Sequence, residues 1–201
     1  MPLFLRTFAA ALAVFAFASF AHAQGVRLRG TIESVNGETM VVHTRQGETA
    51  NVHLKAGAPI GALVKAQLSD IKPGLFIGAA AMPGEGDTLK AMEVHIFPES
   101  MRGTGEGFRP FDLAPGSSMT NGNISAAVDG VDGPKLTVTY KGGEKIIIVD
   151  KATPIVELAP GSAGDVKAGA GVIVFASEKG ADGTYEAGRL IVGRDGVKPP
   201  M

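Results

Sequence analysis

Asp70-Ile71-Lys72-Pro73-Gly74 and Asp165-Val166-Lys167-Ala168-Gly169 are one five-residue phrase written twice. Pro59-Ile60 and Pro154-Ile155 recur at the same offset, so the chain reads as a single module in two copies. Glycine at the end of each phrase marks a turn, since it takes up backbone conformations that other residues resist. The phrase carries no set of side chains that a reaction needs, which gives it a backbone role.

Upstream of the first phrase, Arg27 to Val35 places Leu28 and Ile32 on one side of an extended segment and Arg29, Thr31 and Glu33 on the other. Asn36-Gly37, a strong hairpin signal, leads into Thr39 to Thr44, and Gln46-Gly47 leads into Glu48 to Leu54. There Ala50, Val52 and Leu54 alternate with Thr49, Asn51 and His53, the period of a strand buried on one face. Ile60, Val64, Leu68 and Ile71 then recur at spacings of four, four and three, which predicts a short helix over 59–71, ended by Pro73-Gly74. Phe76 to Met82 and Leu89 to Phe97 form a hairpin across Pro83 to Asp87.

The second copy repeats the order: Ile124 to Val131, a turn at Asp132-Gly133, Leu136 to Tyr140, Lys145 to Val149, then Val172 to Ser177 and Thr184 to Val192. Its connector, Leu158 to Gly164, is a poor helix because of Pro160 and its small residues. A three-strand meander, a connector and a hairpin form the order of a small OB-like barrel. The expected fold is all-β: two tandem five-stranded OB-like barrels joined by an ordered linker, with a merged β-sandwich as the alternative. The corresponding divisions are a signal peptide at 1–23, a first module at 24–97, a linker at 98–121, a second module at 122–193 and a tail at 194–201.

The leader assignment rests on Arg6, an apolar run from Phe8 to Phe20, and Ala21-His22-Ala23 before Gln24, the small-x-small pattern of a cleavage site. The run is shorter than the ~20 residues of a spanning helix. The expected location is therefore periplasmic, with no membrane span after cleavage. Cysteine is absent, which removes disulfides as a source of stability. A formal charge of −1 from 19 basic and 20 acidic residues offers no field for nucleic acid.

Residues 98–121 do not repeat. A free spacer would lack large apolar groups, whereas this one carries Phe108, Phe111, Leu113 and Met119, so it is expected to dock. Arg102, Phe108, Arg109 and Phe111 are the candidate contacts to a partner, as arginine and aromatic anchors dominate interfaces. Glu93-Val94-His95-Ile96-Phe97-Pro98-Glu99, Met101-Arg102-Gly103-Thr104-Gly105-Glu106-Gly107 with Arg109-Pro110, and the ending Gly193-Arg194-Asp195-Gly196 with Pro199-Pro200-Met201 resemble a family of exported proteobacterial proteins, a domain of unknown function built of OB-like β modules. The resemblance implies the fold and the export but no activity and no catalytic residue.

Gly103-Thr104-Gly105-Glu106-Gly107 is glycine-rich, but Phe-Arg-Pro-Phe follows it rather than a helix, so it lacks the context of a phosphate cradle. No cofactor motif is present. Glu93 and His95 stand two apart on a strand and so share a face, making them the candidate metal ligands, although a specific site needs three or four. The turn at Gln46-Gly47 sets His43 and His53 on opposite faces. No cysteine and no G-x-S-x-G occurs, so nucleophilic catalysis has no recognisable set. The expectation is a non-catalytic binding or interaction module for a protein or envelope component, with metal binding through Glu93 and His95 as the runner-up.

Overall fold

The computed structural model describes residues 25–130 and 133–199. The expected leader at 1–23 lies outside them, as do Asp132 of the second-copy turn and the last two residues of the tail. No α-helix forms among the described residues. The strands are β1 (Val26–Asn36), β2 (Thr39–Thr44), β3 (Thr49–Leu54), β4 (Ile60–Lys65), β5 (Phe76–Pro83), β6 (Thr88–Ile96), β7 (Gly107–Pro110), β8 (Ser118–Val128), β9 (Lys135–Tyr140), β10 (Gly143–Ile148), β11 (Ile155–Pro160), β12 (Gly171–Lys179) and β13 (Thr184–Gly193).

Their pairing closes two five-stranded circuits. One runs β1-β2-β3-β13-β12 and back to β1, and the other runs β8-β9-β10-β6-β5 and back to β8. In each the third strand of the meander pairs in parallel with the second strand of the hairpin, Asn51 to Leu54 with Thr184 to Ala187 and Ile146 to Ile148 with Thr88 to Lys90. The all-β barrel expected from the alternation is present, but each barrel takes its meander from one copy and its hairpin from the other. The divisions 24–97 and 122–193 therefore mark the repeats in sequence and not the barrels. The second barrel is contiguous over 76–148, while the first is assembled from two separated stretches, 26–54 and 171–193.

Each barrel encloses its own core. Ile32, Val42, Val52, Val172, Val174 and Leu190 fill the first, and Ile77, Val94, Ile124, Leu136, Val138 and Ile147 fill the second. Gly30 and Gly122 hold matching places on the first meander strands. A Cβ there would lie 2.1 Å from the His43 carbonyl oxygen and 2.4 Å from that of Thr139, so only glycine admits the neighbouring strand.

The predicted helix over 59–71 is instead β4 followed by a 3-10 turn, Leu68–Asp70. β4 pairs antiparallel with β11 through Leu63↔Leu158, equivalent residues of the two copies. It also pairs in parallel with β13, as β11 does with β6. A spacing of four satisfies a strand as well as a helix, because even separations share a strand face; the partners decide the outcome. Leu63, Val156 and Leu158 make a small core between the barrels.

The repeated phrases lie where the chain passes from this crossing into the opposite barrel. The Asp70 carboxylate accepts the Gln67 N–H and that of Asp165 accepts the Ser162 N–H, both at 2.8 Å. Gly74 and Gly169 follow at φ of 90° and 83°. Gly74 donates its N–H to Ile124 O and Gly169 donates to Ile32 O, both at 2.8 Å, so each phrase joins one copy to the meander of the other.

Candidate functional site

The linker builds one wall of a cleft between the barrels. After a 3-10 turn at Glu99–Met101, Arg102 donates to both carboxylate oxygens of Glu99 at 2.6 Å and to Gly74 O at 2.9 Å, and it also bonds Asn123. β7 then adds to β8, with Gly107 opposite Asn121 and Arg109 opposite Met119. The loop from Phe111 to Ser117 returns the chain and places Leu113 against Ala80 and Met119.

Asp112 on this loop reaches the first barrel. Its carboxylate accepts both Arg29 guanidinium termini, at 2.9 and 2.7 Å, and Arg27 at 3.3 Å. The two guanidiniums hold the Asp112 carboxyl below its usual range, with Arg29 the larger cause. Phe111 lies beneath both, 5.9 Å from the Arg27 guanidinium carbon and 5.6 Å from that of Arg29. Arg189 of β13 stacks on Phe175 of β12 at 3.9 Å.

Arg27, Arg29, Phe111, Phe175 and Arg189 open onto a cavity of about 180 Å³ bounded by both barrels, the crossing and the linker. Gly78 forms part of its floor, between His95 on β6 and Asn121 on β8 in one row across the sheet. A Cβ on Gly78 would stand 2.7 Å from Asn121 Oδ1 and 2.9 Å from the Phe97 ring. Asn121 is only 4% exposed; its amide donates to Thr104 O, but its Oδ1 has no partner, and neither has Arg29 Nε nor His95 Nε2. Arg109 and Arg189 have no carboxylate partner among the described residues. Partial desolvation, and then the charge of Arg27, hold both below the usual arginine pKa.

The four residues expected to meet a partner are thus divided. Arg109 and Phe111 line the cleft, Arg102 clamps the linker to Gly74, and Phe108 is exposed with the Lys145 ammonium 4.8 Å above its ring. Arg27, Arg29, Asn121, Phe175 and Arg189 were not singled out from the sequence. The available signal was Arg27 and Arg29 at period two, opposite the apolar side of their strand.

Glu93 and His95 do share a face, with Glu93 Oε1 and His95 Nε2 2.6 Å apart. The two atoms are not aligned for a hydrogen bond, and neither has another partner. No group of three or more possible ligands converges among the described residues, which leaves this pair short of the three or four a specific metal site uses. His53 stands opposite Thr39 and His43 opposite Thr49. That register puts His43 and His53 on the same face and not on opposite ones. His43 pairs with Glu33 at 3.4 Å, and His53 with Glu186 at 3.1 Å, which raises the His53 pKa. No protein family, curated protein or solved structure matches the chain.

Proposed function

We propose that the chain is an exported, non-catalytic periplasmic binding module that holds a small organic anion in the cleft between its barrels. The observation that carries the reading is the convergence of Arg27, Arg109 and Arg189 on one cavity, where Arg109 and Arg189 have no carboxylate partner among the described residues. Guanidiniums recognise carboxylates in a fixed fork. The rings of Phe97, Phe111 and Phe175 supply an apolar wall for the rest of the ligand. A cavity of about 180 Å³ is smaller than the roughly 300–1,000 Å³ of drug-sized sites, so the ligand is one ring or a short chain bearing an acid.

Calorimetric titration with benzoate and glutarate tests this. Both are expected to bind more weakly as salt rises, and Arg189→Ala is expected to weaken them by about tenfold or more, the scale of losing one charged contact. Unchanged affinity in Arg189→Ala, or no heat from either anion, sinks the reading.

A further inference from the structure

The two meander-opening strands are treated differently by the chain. Gly122 and Ile124 of β8 match Gly30 and Ile32 of β1, which makes Met119 and Asn121 the counterparts of Arg27 and Arg29. In the second barrel β7 covers this part of β8, pairing Arg109 with Met119 and Gly107 with Asn121. In the first barrel β1 meets β2 only from Gly30 onward, and no described strand lies along Val26 to Arg29 on that side. Ile32 turns its N–H and C=O toward Ala170 and Gly169, beside β12, whereas Arg29 O accepts from Arg45 on the opposite side. Strand alternation then leaves the Arg27 N–H and C=O and the Arg29 N–H facing outward. A cavity of about 520 Å³ lies there, lined by Arg27, Arg29 and Arg45 and by the loop from Phe111 to Gly116. Three guanidiniums face it against the single carboxylate of Asp112.

We propose that this edge accepts an extended acidic polypeptide segment from a partner, which adds to β1 as an antiparallel strand in the place that β7 occupies beside β8. Main-chain hydrogen bonds to Arg27 and Arg29 supply the pairing, and acidic side chains meet the guanidiniums of Arg27 and Arg45, the usual division of labour in strand addition. The inference rests on the anion-binding reading of the adjoining cleft, into which Arg27 and Arg29 also project.

The probe is a short fluorescein-labelled peptide of alternating glutamate and valine, followed by anisotropy with the purified protein, beside the same peptide N-methylated at alternate residues. The expected result is salt-sensitive binding, slowed hydrogen exchange at the Arg27 and Arg29 amides, and a loss of about tenfold or more on N-methylation or in Arg45→Glu. Arg45 is an exposed residue whose side chain donates one part-buried bond, to Leu113 O, and an unchanged melting temperature of the variant checks that its fold is kept. Equal binding of the N-methylated peptide, or unprotected amides, overturns strand addition while glutarate binding still stands. Failure of both the peptide and glutarate overturns the anion-binding reading along with it.

Discussion

Asp165 and Asp70 close equivalent turns, yet only Asp165 also holds an arginine, accepting from Arg194 at 2.8 and 2.9 Å. That guanidinium, together with the Ser162 N–H, depresses the Asp165 pKa far below its ordinary value. A depressed carboxyl pKa stabilises the folded state fully above the ordinary carboxylate range, and the contribution fades as pH falls through that range toward the folded value. Asp165→Asn is therefore expected to lower the melting temperature at neutral pH and to flatten its fall between about pH 5 and 2. Thermal melts across this pH range, with the wild-type chain alongside, check it. At this scale the sequence was readable where a residue acts on its own neighbours: the turn phrase and the shared face of Glu93 and His95 both follow from local spacing. His43 and His53 were not, because one residue of register reverses a face.

β7 and its return loop separate docking from display. Leu113 is buried on Ala80 and Met119, while Phe108 on the same hairpin is 44% exposed. Leu113→Ala is expected to cost about 2–3 kcal/mol, the usual loss for a buried leucine, and Phe108→Ala to stay within about 0.5 kcal/mol. Denaturant unfolding of the two variants measures both, and equal losses would show that Phe108 holds the hairpin down as firmly as Leu113. The docking of the linker was legible in its large apolar residues. Its pairing as a strand was not, since four residues with two glycines and prolines nearby carry no alternation. The replacement of the helix by β4 has a similar cause: β4 lies between β11 and β13, is covered on both sides, and never shows the period of a half-buried strand.

Alternation reports that one face of a strand is buried but not which strand lies beside it, so the exchange of hairpins between the copies left no local trace. The exchange makes different fragments viable from those the repeats suggest. Residues 70–156 contain all five strands of the second barrel and are expected to fold alone, with cooperative melting by circular dichroism. Residues 24–97 hold only a meander and a foreign hairpin, and are expected to lack that transition as monomers. A folded 24–97 monomer would show that hairpins return to their own copy. The cleft shares this origin: Arg27, Arg29 and Arg189 come from one barrel and His95 and Asn121 from the other, so its chemistry exists only once the exchange is complete. The first barrel joins strands about 120 residues apart in sequence, and this sets a timetable. During synthesis the β1-β2-β3 meander emerges before β5 to β10 but cannot close until β12 and β13, made after them, are available. Contacts of such long sequence separation form slowly, so the second barrel is complete while the first still exposes its unpaired edges, the interval in which the newborn chain is most open to aggregation and to chaperones.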